Sequence, residues 1–557
     1  VASFWTGTVA DVRGSWVRSA SVRGLFAVPL LVAIVLGVTS VGAARVLAQG
    51  VPSAAAGPPG TGLAWGTNSA GRLGDGTTTD SSSPVAVNVP AGTAITAVAG
   101  GAGHSLAVTS AGTALAWGDN AFGQLGDGTT IPSSSTPVAV DVPAGTTVTA
   151  LSGGGVHNLA VTSAGTALAW GDNFWGQLGD GSTTRSRTPV AVNVPAGTTI
   201  TAVAAGQGHS LAVTSAGTAL AWGDNSSGQL GDGTATDSST PVAVNVPAGT
   251  TVTAVAAGGL HSLALTSGGD VLAWGANGSG QLGDGTTTNS STPVTVDLPA
   301  GTTITAVAAG DRHSLAVTST GDVLAWGDNT AGQLGDGSTT HSSTPVAVDV
   351  PAGTTITAVA TGQGHSLAVT STGTALAWGA NTFGQLGDGS TTSSSSIPVA
   401  VDLPAGTTVT AIGGGSFHSL AIVPSTSTTT LQVSPPNPTP NQDVTLTATV
   451  TCTTDTPTGT ITFRTTTTDL ATVPLDSTTT ATHTTRLPPG THTLTAHYTA
   501  TTTTCPDSQS EATTISVDLP VTGPDLPTLL GAGTLLILTG ATLIHRTHRR
   551  RSPHHPH

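Results

Sequence analysis

Apolar and polar residues alternate along most of this chain in short runs bounded by glycine. His104-Ser-Leu-Ala-Val-Thr109 is followed by a turn through Ala111-Gly112 and then by Ala114-Leu-Ala-Trp-Gly118. A small turn between two alternating runs predicts a hairpin. A long polar loop leads to Pro137-Val-Ala-Val140, and Pro143-Ala-Gly145 turns the chain into Val148-Thr-Ala-Leu-Ser152. Four short strands are therefore predicted in one stretch. Leu115 and Trp117 share a face by the period of two.

This stretch recurs. Trp65, Trp117, Trp170, Trp222, Trp274, Trp326 and Trp378 are spaced by 52 or 53 residues. His104, His157, His209, His261, His313, His365 and His418 keep the same period. Seven units occupy residues 60–423. A four-stranded unit that is apolar on both faces cannot stand alone, so its neighbours must cover it, as in the blades of a propeller. Closure is also written in the sequence. No His-Ser-Leu strand precedes Leu63-Ala-Trp65, whereas His418-Ser-Leu-Ala-Ile-Val423 is surplus at the other end. Three N-terminal strands and one C-terminal strand are expected to complete one blade and remove the free edge.

Trp-Gly-Asp-Asn-x-x-Gly-Gln-Leu-Gly-Asp-Gly, together with His-Ser-Leu-Ala-Val-Thr, resembles the repeat of the RCC1 (regulator of chromosome condensation) family. The resemblance covers residues 60–423 and implies a seven-bladed propeller. The best-known member of that family is a nuclear exchange factor for a small GTPase, and its functional residues do not map onto positions here. Many relatives use the propeller only as a binding scaffold, and fold does not fix function.

Beyond a Thr/Ser/Pro linker at 424–429, residues 430–518 alternate in seven further short runs, from Leu431-Gln-Val433 to Ala512–Val517. Seven strands in about 90 residues predict a sandwich. Pro457-Thr-Gly-Thr-Ile-Thr-Phe463 and Leu487-Pro-Pro-Gly490 look like bacterial Ig-like repeats of surface proteins. The fold class expected for the whole chain is thus all-β, an RCC1-like β-propeller followed by an Ig-like β-sandwich. The only cysteines, Cys452 and Cys505, lie in the sandwich. In an exported domain they are expected to form a disulfide, worth ~4 kcal/mol in the chain-entropy model, two free thiols being the alternative.

The ends carry an address. Arg13, Arg18 and Arg23 precede the apolar run Leu25–Val38, and Val46-Leu47-Ala48 offers a small-residue cleavage site. Residues 1–48 are read as a signal peptide cut after Ala48, or after Ala44, with 49–59 a linker; a retained membrane anchor is the alternative. At the other end Leu519-Pro520-Val521-Thr522-Gly523 precedes an apolar stretch, Leu526–Ile544, and then Arg546, Arg549, Arg550 and Arg551. Nineteen residues rise about 29 Å, near the thickness of a bilayer core. The order in 519–557 resembles the LPxTG cell-wall sorting signal of Gram-positive surface proteins, in which sortase cuts between Thr and Gly and joins the Thr to peptidoglycan. Here that bond is Thr522–Gly523. A plain single-span tail is the alternative.

Composition narrows the chemistry. All 14 basic residues are Arg, and of 29 acids only Glu511 is Glu. The absence of Lys excludes Schiff-base chemistry and a Walker-type phosphate loop. Net charge is −15. Residues 49–522 keep six Arg against 27 acids, or −21, which disfavours nucleic acid as a partner. No hydrolase, metalloprotease or Cys-His motif occurs, so no catalytic residue, cofactor or metal is assigned. The seven histidines could line a channel as ligands, but a residue repeated in every unit serves the unit's own packing, and hydrogen bonds to loop backbone are expected of them. The Gly-Asp-Gly turns lack the converging oxygens of a calcium loop.

Binding is expected where the units differ. The loop after the Trp strand reads Ala70, Phe122, Trp175, Ser227, Ser279, Ala331 and Phe383 at one register position. The residue before each His reads Gly103, Val156, Gly208, Leu260, Arg312, Gly364 and Phe417. Consecutive strands run oppositely, so both sets emerge on one face. Phe122, Phe174, Trp175, Arg185, Arg187 and Phe383 are the candidate ligand face. The function expected is a non-enzymatic, extracellular, wall-anchored scaffold for a protein or glycan, touching sortase and peptidoglycan through Thr522 and the membrane only through its uncleaved C-terminal span. A GTPase regulator or an exported hydrolase are the alternatives.

Overall fold

A computed structural model describes residues 60–391, 394–453, 456–501 and 505–518. The signal segment and the sorting motif Leu519–Gly523 lie outside the described residues. Strands and turns make up everything described, with no helix among the described residues.

Residues 60–424 form five four-stranded antiparallel sheets and one eight-stranded sheet. A representative sheet holds Val252–Ala257, His261–Thr266, Val271–Gly275 and Ser290–Thr295, in that order from the axis outward. The His strand is buried at all six positions and the Trp strand at all five. Alanine and glycine dominate these central strands, so neighbouring sheets stack face to face with side chains such as Leu263, Leu324 and Trp326 between them. The outer strand is half-exposed and carries a proline in every sheet, Pro293 here. Proline donates no ladder hydrogen bond and is tolerated on an edge, which it protects from further pairing.

The eight-stranded sheet contains the closure. His418–Pro424 pairs antiparallel with Gly60–Gly66 along seven positions, from Gly60↔Pro424 to Gly66↔His418. Ala411–Gly414 pairs with His418–Pro424, and Ser81–Ala86 with Gly60–Gly66. The closing set therefore takes two strands from each end of the ring, not three and one. Ile95–Gly100, expected to belong to the first unit, instead pairs along its length with His104–Thr109 and touches Gly60–Gly66 only at Gly60↔Ile95. The physical reason is position. This strand type is the innermost of each sheet and is followed at once by its His-strand partner.

Residues 427–517 form a three-stranded sheet (Ser427–Ser434, Asp443–Cys452, Thr480–Arg486) and a five-stranded one (Gly459–Thr465, Asp469–Pro474, Gly490–Ala500, Ser508–Gln509, Thr513–Val517). The strand Ser508–Gln509 has only two residues and carries no alternation to reveal it. One core, including Val444, Leu446, Ile461, Phe463 and Tyr498, lies between the sheets. Cys505 is buried and Cys452 half-buried in that same core. The hydroxyl of Tyr498 donates to the Thr458 carbonyl, 2.8 Å away.

Candidate functional site

The repeated polar residues form the frame of the site. Each histidine is fully buried. Its Nε2 reaches the next sheet rather than loop backbone: His157 to Ser210, His209 to Ser262, His261 to Ser314, His313 to Ser366 and His365 to Ser419, at 2.9–3.0 Å. His104 meets Asn158 Oδ1 at 2.6 Å, and His418 returns to Ser105 at 2.8 Å. The contacts run through all seven histidines and close on themselves. Each of these serines donates its own proton to a backbone carbonyl, as Ser262 does to Gln229 O at 2.9 Å. The serine oxygen can then only accept, so Nε2 carries the hydrogen. The opposite nitrogen, Nδ1, meets no partner among the described residues at any of the seven. Burial depresses all seven pKa values, to about 3 at His157, His261 and His313 and about 4 at His104, His209 and His365. These rings are neutral bolts between sheets, and their nitrogens do not converge on a point.

Tryptophan locks the same joint. Trp274 Nε1 donates to Gln229 O at 2.8 Å, the carbonyl that Ser262 also uses. The pattern repeats from Trp65 on Gln385 O to Trp378 on Gln333 O. In the first unit Arg72 stands in the glutamine position, and its carbonyl takes both Trp117 Nε1 and Ser105 Oγ. Glycine is required beside each imidazole. A Cβ on Gly258 would stand 2.3 Å from His261 Cε1 and 2.5 Å from the Gly310 carbonyl oxygen.

On this frame the variable loops are held rigidly. Asn173 Oδ1 accepts from Leu178 N at 2.9 Å, while its Nδ2 reaches Asp180, Ser182 and the Thr184 carbonyl at 3.1–3.2 Å. Gln177 Oε1 accepts the backbone N–H of Trp175 at 2.9 Å, and its Nε2 donates to Asp172 at 3.1 Å. The same glutamine contact holds Phe122 through Gln124 and Phe383 through Gln385. Asp172 N donates to Val156 O at 2.9 Å, so the loop after the Trp strand starts beside the residue preceding the histidine. The same bond joins Thr67 to Phe417 and Asp224 to Gly208. Both variable loops thus share one face of the ring.

That face gathers the exceptions to the repeat. Phe174 is 72% exposed and meets Trp175 edge-on, with ring centroids 5.3 Å apart. Trp175 is half-buried, because its ring covers Gly208 of the following sheet. Arg185 stands over the Phe122 ring, 5.9 Å from its centroid. Arg187 lies against Gly123, beside Phe122. Phe122, Arg185 and Arg187 thus meet at one joint, and Phe174 with Trp175 stand at the next joint round the ring. Phe383 pairs with Phe417, centroids 5.3 Å apart, at a separate joint. The sequence reading left Phe417 out of the candidate set, although its register position had already marked it as variable. Arg72 and Arg312 lie on the same face, Arg312 facing Asp311 at 3.7 Å. Every aromatic outside the repeat and every arginine in 60–423 therefore falls on one face. The turns of the opposite face, Ala-Gly and Pro-Ala-Gly, carry none.

At the axis on this face, a pocket of about 110 Å³ is lined mainly by Gly and Ala, with Gln207, Asp311, Gln363 and Ser416. Asp311 is the single ionisable group lining it, and burial raises its pKa.

Repeated four-stranded sheets closed into a ring, with a decorated loop face, define a propeller-type fold. Residues 50–425 match the family model for the RCC1-like domain, and residues 429–518 that of the bacterial Ig-like domain (group 3). The chain belongs to the RCC1-like family. It is 35% identical to the ultraviolet-B receptor UVR8 of Arabidopsis thaliana over 58% of this chain and 74% of the receptor. Identity to the human E3 ubiquitin-protein ligase HERC2 is 34%, over 66% of this chain but 8% of the ligase. Among solved structures, Prp20p of Saccharomyces cerevisiae aligns with a TM-score of 0.60 at 25% identity, covering 67% of this chain and 93% of that one. Human WBSCR16 aligns with the same score at 23% identity, covering 65% and 99%.

Proposed function

We propose that this protein is a non-enzymatic binding scaffold, displayed outside a bacterial cell on an Ig-like stalk and joined to the wall through Thr522. The observation that carries the binding role is the confinement of all non-repeat aromatics and arginines to one propeller face. The reading counts the eight-stranded sheet as two blades meeting at Gly60↔Ile95, giving seven blades in all. It takes Cys452 and Cys505, placed in one core, as a disulfide of the exported sandwich. The bacterial Ig-like match supports a bacterial surface setting, and the order Leu519–Gly523, apolar span, Arg tail supports sortase anchoring. Thr522→Ala is expected to move the protein from the muramidase-released wall fraction to the membrane or the medium. Unchanged fractionation would refute the anchoring.

A second reading, a regulator of a small GTPase, draws on the likeness to Prp20p, a structure reported with binding to Gsp1p and histones. A net charge of −15 speaks against a histone-bound nucleic-acid setting, though not against a basic protein partner.

A further inference from the structure

Resting on the proposed binding role of the loop face, we infer that Arg185 and Arg187 beside Phe122 recognise an acidic residue of a partner polypeptide, whose neighbouring apolar side chains reach Phe174 and Trp175 at the next joint. Arg185 immediately precedes the outer strand Ser186–Ala191 and Arg187 is its second residue, and both lie against the preceding sheet's loop, Arg185 over Phe122 and Arg187 against Gly123. Both are exposed. The ion pairs of the described residues are Arg312–Asp311, His341–Asp328, Arg464–Asp469 and Arg486–Asp443, and none includes Arg185 or Arg187. In a chain with 29 acids and 14 arginines, two adjacent cations without a carboxylate are unexpected.

The carboxylates close in sequence are occupied elsewhere. Asp119 accepts from Ala121 N and Gln124 Nε2, Asp172 from Gln177 Nε2, and Asp180 from Asn173 and Ser182. The loops thus hold their own acids in place; Arg185 Nη1 makes only a long contact to the Ala121 carbonyl, at 3.5 Å, and neither guanidinium meets a carboxylate. Phe122 lies beneath Arg185 and fixes its direction. A guanidinium pre-oriented on a ring loses less freedom when it receives a carboxylate, and its fork matches the two oxygens.

The aromatic neighbours select the rest of the partner. Phe174 and Trp175 meet edge to face at 87°, which makes a corner rather than a flat platform. A corner accepts an aliphatic or aromatic side chain, whereas a sugar ring stacks best on an open aromatic face. Trp, Phe and Arg on one face also match the composition of protein-binding hot spots. Strand addition is blocked by Pro189 in the outer strand, so side chains rather than main chain must carry recognition. The prevailing negative charge of the surface repels a uniformly acidic polymer and admits an isolated acidic residue at this spot.

The test uses the full chain, immobilised, and a displayed library of random dodecapeptides. Enriched peptides are expected to place Asp or Glu next to apolar residues. The affinity of a selected synthetic peptide should fall tenfold or more in Arg185→Gln/Arg187→Gln, with unchanged melting temperature, and should weaken at 0.5 M salt. Polygalacturonate beads serve as the anionic-glycan arm. Enriched peptides without acidic excess, no enrichment at all, retention by the beads instead, or unchanged affinity in the double variant would each overturn the inference. Trp175→Ala separates the two levels. If it alone abolishes peptide binding, the face stands and the acidic partner falls. If neither variant changes binding, the face itself falls.

Discussion

Each of the seven histidines has an Nδ1 lone pair buried without a donor or acceptor, and that single feature sets how the ring responds to acid. A proton added there would create a charged N–H with nothing to receive it. The folded pKa values, near 3–4 at six of the rings and pushed well down by burial at His418, lie below the unfolded value of about 6.5, so the unfolded chain binds protons first. The stability these rings confer is fully present above pH 6.5 and is lost as pH falls towards 4. Between pH 6.5 and 5.5 the loss is roughly 1 kcal/mol per histidine, hence on the order of 7 kcal/mol for the ring. Denaturant unfolding of the propeller at those two pH values checks this, and equal midpoints would contradict it. The period of the histidines was legible in the sequence. Their partner was not. His261 and Ser262 are adjacent in the chain, yet His261 bonds to Ser314, one repeat on, and no local pattern records a contact between repeats.

At the scale of the strand, alternation and glycine punctuation identify nearly every element, because both faces of each sheet are buried and the turns need glycine. The grouping of strands into sheets was less accessible. Ile95–Gly100 sits between its own Trp strand and the next His strand in sequence, and only register shows that it pairs along its length with His104–Thr109. The two-plus-two closure makes His418–Pro424 central, since it lies between Ala411–Gly414 and Gly60–Gly66. Deleting residues 416–423 should therefore lower the melting temperature of the propeller more than deleting 430–518. The first cut opens a sheet in its middle. The second removes a domain with a core of its own. Equal melting of the two deletions, followed by calorimetry, would refute the closure's importance.

For the whole molecule, the division of labour is between a frame that repeats and a face that does not. His, Ser, Trp and Gln recur because each bonds across a joint, Asn because it ties its own loop together, and glycine where a Cβ would meet an imidazole. The exceptions stand on one face, held by the same glutamines and asparagines that serve the bland units. The variable positions of the candidate site were legible as departures from the unit. Their assembly was not, because the contact of Arg185 with Phe122 and that of Trp175 with Gly208 both cross from one sheet to the next. The central claim is that partners dock on this face at the aromatic patch. It is tested most directly by placing one photo-cross-linking residue at position 175, 227 or 196 of the full chain. Position 227 is the matching loop at the next joint, without aromatics, and 196 lies in a Pro-Ala-Gly turn of the opposite face. The account predicts a discrete adduct from 175 and none from 196 or 227. Adducts of equal yield from all three, or an adduct from 196 alone, would contradict it.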